Sequence, residues 1–230
     1  MKKFLFCILV GINFLIGVKV FSAPCYGTYL PKRNKFLLGI QTHAVFKRYL
    51  KDTYGKLRSL QHFLLLSYGV FDWLSLDLKG GTGFIKQHPL NSDEIDYPSW
   101  LGGGYGFRVK LYHNPVDKVK VVGGFQHISI HPKKVYLEGV KNKAVLDDWQ
   151  FSILISKNLN IFTPYIGTKW SRMDYIHWRD GIRKRKKSDL TKSLGLILGS
   201  DISLSRKTYL NLEIHFFDEE AAAISFLCKF

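Results

Sequence analysis

From residue 36 onward, apolar and polar residues change places every second position in one segment after another, and β-branched and aromatic residues concentrate in those segments. A period of two marks a strand with two unlike faces. It predicts ten strands, at about residues 36 to 47, 60 to 71, 73 to 86, 100 to 112, 118 to 131, 147 to 157, 161 to 175, 193 to 202, 208 to 217 and 221 to 230. The fold class is therefore all-β.

The connections alternate in length. After the first, third, fifth and seventh strands come long polar stretches, around YLKDTYGK, HPLNSDEIDYP, PKKVYLEGVKNKA and HWRDGIRKRKKSDL. After the second, fourth, sixth and eighth come tight turns, at FDW, HNPVD, KNLN and SLSRK, and only the ninth connection, DEE, is short where length is expected. Long loops on one side, short turns on the other and an even strand count describe an up-and-down antiparallel transmembrane β-barrel. About ten strands are expected, with eight and twelve as the neighbouring counts.

The faces of the strands agree with that architecture. In the fourth strand Leu101, Tyr105, Phe107, Val109 and Leu111 oppose Gly102, Gly104, Gly106, Arg108 and Lys110. The sixth sets Trp149, Phe151, Ile153 and Ile155 against Asp148, Gln150, Ser152 and Ser156; the ninth sets Leu210, Leu212, Ile214 and Phe216 against Asn211, Glu213 and His215. The apolar side faces lipid and the polar side the lumen. In the fifth strand Lys118, Lys120 and Gln126 share parity with Ile128 and Ile130, which calls for a bulge near Gly123-Gly124 to restore the alternation. Two interfacial girdles are also expected, Tyr97, Trp100, Trp149, Tyr175 and Trp178 at the long-loop end and Phe71, Trp73, Tyr112, Phe162 and Phe230 at the short-turn end.

The final residues, AAAISFLCKF, keep small or apolar side chains at Ala222, Ile224, Phe226, Cys228 and Phe230. With that ending the sequence resembles the outer-membrane β-barrel class of Gram-negative-type bacteria, and within it the small barrels grouped around the transmembrane domain of OmpA and the opacity proteins. Closure of ten strands into a barrel requires that the last pair with the first. The resemblance implies that Ile224, Phe226 and Phe230 form the signal read by the outer-membrane assembly machinery.

The front of the chain fits the same compartment. Met1-Lys2-Lys3, an uncharged and mostly apolar run from Phe4 to Val18, and the exit Lys19-Val-Phe-Ser-Ala-Pro have the order of a signal peptide cut after Ser22. The expected organisation is signal peptide 1–22, periplasmic segment 23–35 and barrel 36–230, with both termini periplasmic and the long loops extracellular. Cys25 follows Pro24, a poor lipobox, and pairing of Cys25 with Cys228 stays open. The whole chain carries a net charge of +16; without Lys2, Lys3 and Lys19, 31 basic residues face 18 acidic ones, a net of +13. An anionic partner is implied.

The lumen is expected to hold Asp77, Asp148, Asp201 and Glu213 with Lys79, Arg108, Lys110, Lys169 and Lys229, plus His43 and His215, paired into a network because lone charges there are costly. The glycine runs KGGTGF, LGGGYGF and VVGGFQ lack the Lys-Ser/Thr and the helix of a phosphate loop and read as strand glycines that relieve curvature. The basic run with Arg183, Lys184, Arg185, Lys186 and Lys187 lies in an expected extracellular loop, so its nearer anion is lipopolysaccharide phosphate or another surface polyanion rather than nucleic acid, with a plain solvated loop as the alternative. Asp147, Asp148, His127, His131 and Asp174 flank long loops and are the candidates for a rim-located enzyme. No catalytic signature links them, and no metal or cofactor spacing is present.

The function expected is that of a monomeric, non-enzymatic outer-membrane barrel, with a structural, surface-interaction or narrow-pore role among outer-membrane lipid and lipopolysaccharide. A lipid A-modifying enzyme and a soluble secreted β-barrel binding an apolar ligand are the alternatives.

Overall fold

The computed structural model describes residues 27–230; the expected signal peptide and Cys25 lie outside the described residues. Twelve strands follow in chain order: β1 (Phe36–Tyr49), β2 (Lys56–Phe71), β3 (Leu74–His88), β4 (Ile95–Asn114), β5 (Val119–His131), β6 (Val135–Leu137), β7 (Val140–Lys157), β8 (Phe162–Arg179), β9 (Ile182–Lys187), β10 (Leu194–Ser203), β11 (Thr208–Phe216) and β12 (Glu219–Lys229). Ten of them form a closed antiparallel ring. β12 pairs with β1 from Leu37↔Lys229 to Arg48↔Glu219, and β7 pairs with β8, so the sheet has no open edge within the ring. Closure removes the unpaired backbone groups that hydrocarbon would not satisfy.

The two extra strands, β6 and β9, pair only with β7 and β8. The sequences PKKVYLEGVKNKA and HWRDGIRKRKKSDL, expected as loops, fold instead into hairpin tips, because β7 and β8 keep pairing beyond the barrel wall. The barrel is consequently lopsided. β4, β7 and β8 run for 20, 18 and 18 residues, whereas β10, β11 and β12 run for 10, 9 and 11. Short strands need only a tight link, and the DEE connection is one, turning at Phe217 with φ 78°.

The wall is apolar outside and polar inside. Leu101, Phe107, Phe151, Ile153 and Leu212 are exposed, while Arg108, Gln150 and Glu213 are buried. Leu38, Ile40, Leu64, Leu76, Leu78, Ile166, Ile224 and Phe226 extend the exposed band around the ring. Inward glycines let strands approach closely: a Cβ on Gly81 or Gly106 would run into the carbonyl of His62 or Phe125 on the neighbouring strand.

Three sequence expectations change. β5 has no bulge: its register against β7 runs unbroken from Val119 to Ile130, and Gln126, Ile128 and Ile130 all point inward. The irregularity sits in β4, between Lys110 and Tyr112. Tyr97 and Tyr175 are not girdle residues. An extra residue in β4 between Tyr97 and Trp100 swings Tyr97 inside, Tyr175 shares the inward parity of Lys169, and the two hydroxyls lie 3.3 Å apart in the lumen. The short-turn girdle is as expected, with Phe71, Trp73, Tyr112, Phe162 and Phe230 exposed and Phe71 stacked on Trp73 at 5.3 Å.

Candidate functional site: the filled lumen and the outer wall

Inside the barrel the side chains divide into layers. Nearest the hairpin tips lies an apolar layer in which Leu57, Phe63, Ile85, Tyr97, Ile128, Ile130, Leu146, Met173 and Tyr175 pack together. Below it the charged groups predicted for the lumen meet. Arg108 donates from Nε and Nη2 to the two oxygens of Asp77, at 2.9 and 2.8 Å, and from Nη2 to Ser67 at 3.1 Å. Lys79 donates to Gln41 at 3.2 Å and to Gln126 at 3.4 Å, and Gln126 donates to Gln150 at 2.9 Å. Asp148 takes a hydrogen bond from Gln150.

A second cluster centres on Lys169, which bonds Glu219 and, at 3.0 Å, Asp218. Arg48 reaches Asp218 at 2.8 Å and Ser171 at 2.7 Å, while His215 lies 3.5 Å from both Glu213 and Glu219. Arg48, Asp218 and Glu219 were not legible as lumen residues. A bulge between Val45 and Arg48 reverses the parity that would have sent Arg48 outward, and Asp218 and Glu219 sit in what the sequence offers as a solvent turn. His43 is buried beside Gln61 at 3.0 Å. Lys110, at the short-turn rim, is only half-buried and joins neither cluster.

The short-turn end is filled by the chain itself. Residues Gly27 to Pro31, expected in a periplasmic segment, run inside the ring. The Thr28 amide and hydroxyl donate to Asp201 at 3.0 and 3.1 Å, the Gly27 amide to Glu213 at 3.2 Å, Lys120 donates to the Thr28 carbonyl at 2.9 Å, and Arg108 to that of Tyr29 at 2.7 Å. Lys229 caps this end over the Tyr29 ring at 4.2 Å. Two vestibules remain, of 620 Å³ at the tip end and 400 Å³ at the short-turn end, and they share no lining residue.

The rim residues separate by face. Asp148 points inward, whereas His127, Ser129, His131 and Asp147 share the outer wall of β5 and β7. Ser129 Oγ lies 2.9 Å from His131 Nε2 and donates to Asp147 at 2.5 Å; His127 Nε2 is 3.8 Å from the same carboxylate. An acyl-transfer relay needs the carboxylate to orient a histidine that takes the serine proton. Here the serine hydroxyl donates to the carboxylate itself. Asp174 is fully covered and paired with Arg172 at 3.0 Å and with Arg185.

The basic run proves to be β9, so its side chains alternate between two faces rather than massing. Arg185 pairs with Asp174 and Lys186 with Asp52 at 3.1 Å, Arg183 lies 5.7 Å from the Trp178 ring centre, and Lys184 lines the tip vestibule. Lys187 faces Asp174 across the β8–β9 register. Just beyond, the exposed Asp189 carboxylate is held below its ordinary range by hydrogen bonds from the Thr191 hydroxyl and amide. At the end of the chain Ile224 and Phe226 face outward, and Phe230 exchanges backbone hydrogen bonds with Phe36 at 3.0 and 3.3 Å.

A closed ring of antiparallel strands, apolar on its outer wall and ion-paired within, defines a transmembrane β-barrel of the outer-membrane class. Short stretches of the sequence match outer-membrane proteins. The family described as Chlamydia major outer membrane protein matches residues 138–187, the tall β7–β9 wall. The major outer membrane porins of Chlamydia trachomatis serovars A and E are each 47% identical over 38 residues, 16% of this chain; the chain spans about a tenth of the length of these curated relatives. Among solved structures, an outer membrane channel from Pseudomonas putida F1 aligns over 91% of this chain and 100% of its own at 9% identity and a TM-score of 0.47. The translocator domain of the autotransporter NalP from Neisseria meningitidis aligns over 90% of both chains at 10% identity and 0.45. At these scores the fold rests on the ring's own hydrogen-bond closure.

Proposed function

We propose that this protein is a non-enzymatic outer-membrane barrel that acts through its outer wall and hairpin tips, with its short turns and both termini in the periplasm. The observation that carries the reading is the filled lumen: ion-paired layers, an apolar layer and residues 27–31 occupy the space that a wide porin leaves to water. The serine on the outer wall supports the non-enzymatic part, since its hydroxyl donates to Asp147 rather than to a histidine positioned by a carboxylate. The porin relatives raise a channel as the second reading, and a narrow path between the two vestibules is the form it takes here.

Two measurements test this. Unboiled protein is expected to run faster than boiled protein on a denaturing gel, and in a planar bilayer to give no stepwise conductance of general-porin size. Porin-sized steps would overturn the filled-lumen reading. Phe230 is proposed as an assembly signal as well as an interfacial anchor, so deleting it is expected to reduce inserted protein severalfold in a pulse-chase fractionation. Unchanged insertion of the truncated chain would remove the signal role.

A further inference from the structure

Outside the ring, where the ends of β4 and β5 meet the β6–β7 hairpin, a groove of 760 Å³ is lined by Trp100, Leu101, His131, Lys133, Lys134, Lys141 and Lys143 together with Pro132. No carboxylate is among the lining residues. The sequence singled out the basic run of β9 instead, because there the cations are adjacent in the chain; here they come from two segments that the hairpin folds together. All four lysines are exposed. Lys133 sits 5.3 Å from the Trp100 ring centre and Lys143 4.9 Å from that of Trp178. Ammonium groups resting on rim tryptophans lie at the depth where a bilayer's headgroups meet its hydrocarbon.

The wall beneath the groove completes a pattern. Down the outward faces of β4, β5 and β7 come His131 beside Leu101, then Ser129 and Asp147, then His127 beside Tyr105 and Trp149, and then the exposed apolar Phe107 and Phe151. Cations therefore stand above hydrogen-bonding groups, among them the Asp147 carboxylate engaged by Ser129, which stand above an apolar wall. An amphiphile with a phosphate, ester or sugar oxygens below it, and acyl chains below those matches that order.

We propose that this groove binds the phosphorylated headgroup of a lipid in the surrounding leaflet, with the phosphate on Lys133, Lys134, Lys141 and Lys143 and the chains along the β4–β5 wall. The site rests on the reading of the protein as a membrane barrel. Its occupant is a lipid rather than a soluble anion because the groove opens onto the lipid-facing wall and has an apolar continuation.

The test uses the full-length barrel reconstituted in phosphatidylcholine vesicles, with brominated-chain phosphatidylglycerol or brominated phosphatidylcholine as quencher. Trp100 and Trp178 lie under the lysines and report quencher there once Trp73, Trp149 and Trp170 are replaced by Phe. The native protein is expected to favour phosphatidylglycerol about tenfold at low salt, well below the full sum of four lysines acting independently near an anionic surface. Replacing all four lysines by Gln should bring the ratio to about one, and replacing them by Arg should preserve it, which separates lost charge from lost fold. Equal quenching by both lipids in the native protein, or a preference that survives the Gln substitutions, would overturn the proposal. So would abolition of the preference by inorganic phosphate no more concentrated than the lipid in the vesicles, with chloride of equal ionic strength as control, which would assign the groove to a soluble anion. Failure of the native chain to insert would count against the membrane-barrel reading instead, and the gel shift above reports that separately.

Discussion

Replacing Arg108 by Met is expected to cost the folded barrel about 3–5 kcal/mol, because it leaves the Asp77 carboxylate buried without its counter-charge, with the Ser67 hydroxyl as its remaining donor. Arg108 is 2% exposed and holds both Asp77 oxygens, the Ser67 hydroxyl and the Tyr29 carbonyl at once. One substitution therefore removes the counter-charge of an acid on β3, strips a bond from β2 and takes away one of the bonds that hold the N-terminal segment in the lumen, the one to Tyr29. Substituting Leu for Asp77 as well removes the stranded charge, and a buried pair exchanged for apolar groups is often close to neutral. The double variant should recover at least half of the loss, the remainder being the contact to residue 29. Urea titration of the barrel in detergent micelles, followed by the gel shift, measures both. A single-variant cost below about 1 kcal/mol would mean that water, not Arg108, solvates Asp77.

The strands were legible because lipid and lumen impose opposite demands on alternate residues, so Leu101, Phe107, Phe151 and Ile153 declare one face and Arg108, Gln150 and Glu213 the other. What alternation conveys is parity, and parity fails wherever one residue is inserted. The bulges after Val45 and before Trp100 conceal Arg48 and Tyr97, and the strict inward parity of β5 was taken for a fault because Ile128 and Ile130 are apolar. They belong to an apolar layer inside a barrel whose other layers are ionic, a composition that no single strand displays. The lumenal placement of residues 27–31 was hidden for a different reason. Gly27 to Pro31 form no regular strand, and their bonds go to Asp201, Glu213, Lys120 and Arg108, which are distant in the chain and adjacent only once the ring has closed.

The second large effect is expected at Lys169, where substitution by Met should cost about 3–5 kcal/mol by leaving Asp218 and Glu219 to share one cation, Arg48. All four side chains are at most 1% exposed, so bulk water cannot replace the lost ammonium. The cluster ties β8 through Lys169 to β12 through Glu219, to β1 through Arg48 and to the β11–β12 turn through Asp218. It thus braces the short side of the ring from within, where strands of 9 to 11 residues offer the fewest ladder bonds. Changing Glu219 to Gln alone removes one carboxylate and leaves an excess cation. Combined with Lys169→Met it restores the balance, so the double variant should be more stable than the Lys169→Met protein although it carries one more substitution. The coupling between the two sites is expected at about 1–3 kcal/mol. Costs that add to within about 0.5 kcal/mol would show that Lys169 and Glu219 act independently and that the brace lies in the Arg48–Asp218 pair alone.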